Sequence, residues 1–169
     1  MIDELVERKD AQISECGRYR YSLIRQWGYG PFMTFIMLNP STADSFADDP
    51  TIRRCRAFAK RESMSGLLVV NLYAFRATNP ADLPVDFDDR VGPFNGASLV
   101  GAISGVAARG GHMVAAWGSS VGNDLRMVHR VSEWATDQNV PLHCLGTTKD
   151  GHPRHPLYVK GDTPLEEWK

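Results

Sequence analysis

The sequence predicts an α/β fold, a three-layer α/β/α sandwich with a mainly parallel central sheet of four or five strands. Short apolar runs bounded by turn residues recur along the chain, and segments with helical periodicity separate them. Such runs are typical of parallel strands that are covered on both faces. We find no internal repeat, low-complexity tract or linker, so we expect a single domain over residues 1–169.

The first third of the chain predicts a helix and two strands. Residues 2–14 have helix composition, and residues 18–27 alternate polar and apolar side chains as a strand does. Residues 32–38 are almost wholly apolar and end abruptly at Asn39-Pro40, which predicts the first buried strand.

An amphipathic helix is predicted next. Asp49-Pro50 is a start signal, because aspartate caps helices and proline is favoured at the first helical position. Over residues 51–63 one helical face is apolar, with Ile52, Cys55, Phe58 and Ala59. The opposite face carries Arg53, Arg54, Arg56, Lys60 and Arg61. A basic face is typical of a solvated surface, and it could also contact phosphate groups.

The alternation continues to the end of the chain. Further buried strands are predicted at residues 67–72, 113–117 and 142–145. Helices are predicted at residues 95–108, capped by Asn95, and within residues 123–138. Thr163-Pro164-Leu165-Glu166 has the pattern of a capping box and predicts a terminal turn of helix.

Composition excludes several classes of protein. The apolar runs stop far short of the ~20 residues that a membrane helix needs, so we expect no membrane span. The N-terminus mixes both charge signs, unlike a secretory signal, and we expect a cytoplasmic protein. The three cysteines are too scattered for a disulfide framework or a C-x-x-C site. A net charge of −1 excludes a uniformly basic nucleic-acid binder but leaves room for a local basic patch.

Polar residues follow each of the four buried strands, where ligands bind in parallel α/β sheets. These segments are residues 39–42, 71–76, 117–120 and 146–158. Each also has a structural reading, as a turn, a cap or a surface loop. Asn71 favours a site more strongly, because an unsatisfied amide in an apolar strand costs ~1–3 kcal/mol. The loop aspartates near residues 44–49 and 82–89 could hold magnesium or form local turns, and we predict no metal site.

In their order, these strand-end segments resemble the uracil-DNA glycosylase superfamily over about residues 32–158. Phe35-Ile36-Met37-Leu38-Asn39-Pro40-Ser41 is similar to its first motif, G-Q-D-P-Y in one branch and G-I-N-P-G in another. Residues 68–72 and 76–78 are similar to L-L-L-N and R-A-H, residues 116–119 to L-W-G-S, and residues 155–157 to the start of H-P-S-P. Residues 37–44, Met-Leu-Asn-Pro-Ser-Thr-Ala-Asp, also resemble a bacterial family of unknown function.

The resemblance implies a uracil-DNA-glycosylase-like fold and a hydrolase that cleaves the N-glycosidic bond of a normal or modified base in nucleic acid, without a cofactor. It implies that Asn39 positions a water near the sugar C1′ and that His155 stabilises the charge on the departing base. Asn71, Ser41 and Thr42 would bind the base. The expected phosphate contacts are Gly118, Ser119, Ser120, Arg154, Arg53 and Arg54.

Two departures from the superfamily keep alternatives open. Asn39 stands where the most active branch has aspartate, and Ser41-Thr42 stand where that branch has an aromatic residue that screens thymine. The chain could therefore be a noncatalytic protein that binds a nucleobase or nucleotide. A third reading is a metal-dependent nuclease or phosphohydrolase that uses the aspartates. Nucleic acid or a nucleotide is the expected partner, and the sequence determines neither the oligomeric state nor the target base.

Overall fold

A computed structural model describes residues 6–42 and 44–169. One mixed sheet of seven strands crosses the molecule in the order β1-β2-β4-β3-β5-β6-β7. The strands are β1 (Arg8–Ile13), β2 (Arg20–Gln26), β3 (Phe32–Met37), β4 (Gly66–Asn71), β5 (Gly111–Ala115), β6 (Leu142–Cys144) and β7 (Glu166–Glu167). The four central strands β4, β3, β5 and β6 are parallel to one another. The outer strands β1, β2 and β7 pair antiparallel.

Helices cover both faces of this sheet. They are α1 (Pro50–Arg61), α2 (Phe87–Val91), α3 (Asn95–Arg109) and α4 (Arg126–Asp137). Along β3 the side chains alternate between the faces, so that Phe35 packs in one core cluster and Ile36 in the other. The apolar residues of α1 join Phe35, whereas α3 and α4 contribute Leu99, Ile103 and Val131 to the cluster around Ile36.

The structure confirms the α/β class and corrects the predicted sheet. All four predicted buried strands are present and are the four parallel ones, and the predicted apolar face of α1 is buried. The predicted total of four or five strands is too low, and three of the six strand pairings are antiparallel. The additional strands, β1 and β7, lie at the two edges of the sheet. Strands at an edge can be polar, so no apolar run in the sequence marks them.

The predicted N-terminal helix is wrong for the described residues. Residues 8–13 form β1, which pairs along its length with β2, while residues 2–5 lie outside the described residues. Most of the β1 side chains are exposed. The strand therefore gains its stability from backbone hydrogen bonds to β2, which a helix-forming composition does not reveal.

The predicted C-terminal turn of helix is also wrong. Glu166 and Glu167 form β7, paired with Cys144 and His143 of β6. The Trp168 backbone N–H donates to the Leu142 carbonyl, and the Trp168 ring packs edge-to-face on Trp117 with 5.0 Å between centroids. These long-range contacts outweigh the local capping-box signal.

The parallel strands place a crevice at the centre of the sheet. β3 and β5 are neighbours, but the chain leaves β3 through α1 on one face and leaves β5 towards α4 on the other face. The two connections diverge and open a space between the carboxyl ends of these strands, which is where ligands bind in such sheets.

A buried arginine fixes the loop that leaves β3. Arg25 on β2 is fully buried, and its Nε donates to Asp48 Oδ1 at 2.8 Å. Its terminal nitrogens donate to the carbonyls of Ser45, at 2.6 Å, and Ile24, at 2.8 Å. Burial by itself raises the pKa of the Asp48 carboxyl, but the hydrogen bond and charge of Arg25 outweigh burial and hold this pKa below its usual value. The loop thus enters α1 in one defined position.

Among the helices of the described residues, none combines the length and apolar character that crossing a membrane requires.

Replacement of Arg25 should destabilise the protein strongly. We expect Arg25→Met to lower the free energy of unfolding by about 3–5 kcal/mol, because Asp48 loses a buried partner. Urea denaturation measures the change. Arg8→Met is the matched control, since the Arg8–Asp10 pair has side chains that are 59% and 49% exposed. It should cost less than about 1 kcal/mol. Equal losses in the two variants would contradict a structural role for Arg25.

The same pair predicts how stability depends on pH. The folded protein holds the pKa of Asp48 below its value in the unfolded chain, so the folded state binds fewer protons in acid. The stabilisation is fully present above the unfolded value of about 3.9 and is lost as the pH falls through the lower, folded value. Arg25→Met should weaken this acid dependence in urea titrations between pH 3 and 6.

Candidate functional site

A cavity of about 620 Å³ lies at the carboxyl ends of the parallel strands. This volume is in the usual range for small-molecule sites, about 300–1,000 Å³. Three predicted residues, Asn39, Asn71 and His155, all line it. The other predicted residues in its lining are Ser41, Gly118, Ser119, Ser120 and Arg154. The structure therefore brings together side chains that the sequence separates by more than 100 positions.

Asn39 follows β3 directly, and its orientation is fixed by backbone acceptors. Its Nδ2 donates to the carbonyls of Ala77, at 2.8 Å, and Pro40, at 3.1 Å. A carbonyl oxygen only accepts hydrogen bonds, so the amide nitrogen must occupy this side. No group of the described chain donates to Oδ1. Asn39 therefore offers the cavity an acceptor, which can orient a water molecule but cannot take up its proton.

Asn71 is the last residue of β4 and stands opposite Met37 of β3 in the parallel register. It is only 3% exposed, yet it lines the cavity. Within residues 6–42 and 44–169, no group makes a hydrogen bond to its side-chain amide. Its place in the cavity lining therefore suits a ligand that supplies both a donor and an acceptor to this amide.

Asn95 forms hydrogen bonds to the backbone at Asn71, a role that differs from the predicted one. The predicted helix cap is wrong, because Asn95 is the first residue inside α3 and Phe94 stands at the cap position. Fully buried, Asn95 donates from Nδ2 to the carbonyls of Asn71, at 2.9 Å, and Leu72, at 3.0 Å. These bonds hold the end of β4 and leave the Asn71 side chain free for the cavity.

His155 reaches the cavity from the long loop that follows β6. The loop folds back on itself, with Thr147 bridged to Pro153 and the Arg154 N–H donating to the Gly146 carbonyl. The Gly118 N–H then donates to the Pro153 carbonyl at 3.0 Å. Gly118 has a φ of +73°, and a Cβ there would lie 3.5 Å from His155 Cβ. Glycine is therefore favoured here by its positive φ, and the loop after β5 packs directly beside His155.

The protonation state of His155 follows from its contacts. Its Nδ1 accepts from the Leu157 backbone N–H at 3.2 Å. Neutral imidazole carries one proton, which must then lie on Nε2. Burial lowers the pKa of His155 below the usual value for histidine, and the charge of Asp49 opposes this shift. At neutral pH the ring is therefore uncharged and offers Nε2–H as a donor.

The cavity contains further polar atoms without partners. Ser41 Oγ and Trp117 Nε1 are both buried and make no hydrogen bond within the described chain. Trp117 is 2% exposed, and its ring forms part of the cavity wall. Thr42, predicted to bind the base, lies outside this lining, and its hydroxyl contacts that of Thr78 at 2.7 Å. The lining thus contains an aromatic ring, and two of its residues carry enclosed polar atoms without partners.

The residues predicted to contact phosphate separate into two groups. Arg154 lies in the lining beside Ser119 and Ser120, and its Nε donates to the Thr147 carbonyl. Gly118 is also in the lining, although its N–H is already bound to Pro153. Arg53 and Arg54 lie elsewhere on α1, where they donate to the carbonyls of Asp48 and Val159. Two further arginines of the basic face form ion pairs: Arg56 with Glu7 and Asp48, and Arg61 with Glu62.

Sequence reasoning missed several residues of the site. The sequence predicts Asp49 as a helix cap and as one of the loop aspartates that could hold magnesium, but not as a residue of this cavity. The structure confirms the cap, since Oδ1 accepts from the Ile52 N–H at 2.8 Å. Asp49 also lines the cavity, as the only carboxylate among its described lining residues. Lys149 and the exposed Tyr158 were missed as well. Their signal was position, because each lies in a segment that follows a parallel strand.

A comparison with protein families gives one match. A family model described as a protein of unknown function, DUF1643, covers residues 20–157. The chain belongs to the DUF1643 family. Within this DUF1643 chain, the matched segment runs from β2 through His155 and includes every lining residue of the cavity except Tyr158. No curated protein and no solved structure matches the chain.

Three loop aspartates of this DUF1643 chain have structural partners. Asp48 pairs with Arg25 and Arg56, Asp44 accepts from the Phe46 N–H, and Asp86 caps α2. Within the part of the chain that the structure describes, no group of three or more histidine, cysteine, aspartate or glutamate residues is arranged to hold a metal ion. The described residues therefore offer no clustered donor set for the metal-dependent reading.

The state of His155 can be measured directly. We expect NMR titration to give His155 a pKa below 6.5 in the folded protein, with the proton on Nε2 in the neutral form, because burial disfavours the charged ring. His155→Gln identifies the signal by removing it. A pKa above 6.5 would mean that the charge of Asp49 outweighs burial and would contradict a neutral donor at pH 7.

Proposed function

We propose that this chain hydrolyses the N-glycosidic bond of a base in nucleic acid and that its fold is of the uracil-DNA glycosylase kind. One observation carries the proposal: Asn39, Asn71 and His155, which come from three separate strand ends, line one cavity. The strand-end motifs and their order, together with this convergence, support the same reaction.

Asn71 is suited to reading a base edge. The Watson–Crick edge of a nucleobase presents donors and acceptors side by side, and a carboxamide can pair with both. A base must leave the stack to reach a cavity of this kind, which costs a few kcal/mol. The side-chain amide of Asn71 and the Trp117 ring, which both belong to the cavity lining, offer hydrogen bonds and aromatic contact that offset part of this cost.

His155 and Asn39 are suited to the two sides of the breaking bond. As the C1′–N bond breaks, negative charge grows on the base, and the Nε2–H of neutral His155 can donate to it. The Oδ1 atom of Asn39 can accept from a water molecule directed at C1′. Both groups are held by backbone contacts before substrate arrives, so little reorganisation accompanies the reaction.

A second candidate uses the same cavity without catalysis. The uncharged amide of Asn39 accepts no proton, and this favours a protein that binds a nucleobase or nucleotide and releases it unchanged. Base recognition by Asn71 is common to both candidates, so only a test of bond cleavage separates them.

Cleavage can be tested with a panel of oligonucleotides that contain normal, deaminated or modified bases. We expect the wild type to form abasic sites in at least one of these oligonucleotides, at the same rate with and without EDTA. The reaction should depend on Asn39 and His155. The variants Asn39→Ala and His155→Ala should lower the rate by about 10²-fold or more, because each removes a positioned polar group. The controls Asn123→Ala and His129→Ala alter exposed residues outside the cavity lining.

Each result of the panel separates the candidates. Binding of an oligonucleotide or nucleotide without release of any base would favour the noncatalytic protein. Strand cleavage that requires magnesium would favour a nuclease and overturn the glycosidic reaction. Equal loss of activity in the control variants would contradict the roles given to Asn39 and His155.

The rim of the cavity should contact the backbone of the nucleic acid. We expect Arg154→Ala to weaken oligonucleotide binding and to lower the slope of log K against log salt by about 0.7–0.9, the value for one phosphate contact. Arg53→Ala is the matched control, because Arg53 is an exposed arginine outside the cavity lining. Fluorescence anisotropy over a salt series measures both. A larger effect of Arg53→Ala than of Arg154→Ala would contradict this prediction and would indicate that the phosphate contact lies on the face of α1.

A further inference from the structure

The reaction proposed above leaves one chemical requirement without a residue. When water attacks C1′ it must lose a proton, and the amide of Asn39 is not a base. The neutral ring of His155 has one nitrogen that can accept a proton, Nδ1, and this atom already accepts a hydrogen bond from the Leu157 N–H. An acceptor for the proton must therefore come from elsewhere in the cavity or from solvent.

Asp49 is the one carboxylate among the described residues that line the cavity. Its position is set from two sides. Oδ1 accepts from the Ile52 N–H as the cap of α1, and the preceding residue, Asp48, is held by buried Arg25. Within the described chain no hydrogen bond engages the second carboxylate oxygen, Oδ2. The cap thus fixes the carboxylate and leaves one oxygen able to accept.

An independent observation supports a ligand in this cavity. Asn71 is nine-tenths or more buried, lines the same cavity and has no partner for its amide in the described chain. Trp117 Nε1 is likewise buried and unpartnered. Asn71, Trp117 and Asp49 all line this one cavity, so a molecule that fills it contacts the residue that carries the carboxylate.

We propose that Asp49 is the general base of the hydrolysis, a proposal that rests on the proposed function. The C1′–N bond breaks and its electron pair leaves with the base, which accepts a hydrogen bond from His155 Nε2–H and then a proton from solvent. A C1′–O bond forms to the water held by Asn39 Oδ1, and the water proton passes to Asp49 Oδ2. Asp49 returns this proton to solvent. The negative carboxylate also stabilises the positive charge that develops on the sugar.

The test uses Asp49→Asn in the full chain. Asparagine caps helices about as well as aspartate, so α1 should remain intact and Tm should stay close to that of the wild type. We expect kcat for abasic-site formation, in the oligonucleotide that the wild type cleaves, to fall by about 10²–10⁴-fold. Binding of the same oligonucleotide with a cleavage-resistant 2′-fluoro sugar should change by less than threefold. Asp49→Ser, which keeps a capping oxygen, should behave similarly.

Asp44→Asn is the matched control. Asp44 lies in the same loop, its Oδ1 also accepts from a backbone N–H, that of Phe46 at 2.8 Å, and it is outside the cavity lining. This variant should keep the kcat of the wild type.

The outcomes separate this proposal from the proposed function. A wild type that cleaves while Asp49→Asn keeps its kcat would overturn the role of Asp49 alone. A fall in kcat with an equal loss of affinity or of Tm would also overturn it, because Asp49 would then act in binding or folding. A wild type that releases no base from any oligonucleotide would overturn the glycosidic reaction and the role of Asp49 together.

Discussion

The buried contact between Arg25 and Asp48 is the constraint on which the candidate site depends. A fully buried guanidinium must have its charge and its donors satisfied, and Arg25 finds its acceptors in the loop that leaves β3. That loop connects Asn39 to the start of α1. The buried charge of Arg25 in β2 therefore fixes the position of a loop that contributes residues to the site. Arg76 donates to the carbonyls of Ser41 and Thr42 in the same loop and reinforces the arrangement. Residues 39–42 and 44–49 of this loop have no helix or strand, yet Arg25 and Arg76 fix their path through hydrogen bonds.

The site itself results from the order of strands in the sheet. Because the chain leaves β3 and β5 on opposite faces, their following loops diverge and a cavity forms between them. Asn71 enters it from β4, and His155 enters from the loop after β6. Backbone hydrogen bonds then define which atoms face the ligand: an acceptor on Asn39 and a donor on His155. The hydrolysis that we propose therefore requires no side chain to change its charge before substrate binds.

The sequence predicted the elements whose buried side chains give a periodic apolar pattern. It did not predict the edge strands, because their pairing depends on residues far away in the chain. The four parallel strands and the buried face of α1 were predicted, because each must hide apolar side chains. The segments that form β1 and β7 were predicted to be helical, because these two edge strands are polar and carry no apolar pattern. In the site, Asn71 was singled out because an amide in an apolar strand is costly. Asp49 was predicted only as a helix cap or a loop aspartate that could hold magnesium, because nothing in the local sequence shows that it reaches the same cavity as Asn39.

The sequence by itself determined the class of fold, the central strands and the strand ends at which a ligand would bind, because periodicity and turn residues act over short distances. Only the tertiary structure decided which of these polar residues meet. It brought Arg154 to the cavity and left Arg53 and Arg54 bonded to backbone carbonyls elsewhere. It also placed the carboxylate of Asp49 in the wall that Asn39 shares. The reason is physical: which side chains converge depends on strand order and on the long-range hydrogen bonds of the loops, and neither leaves a local pattern in the chain.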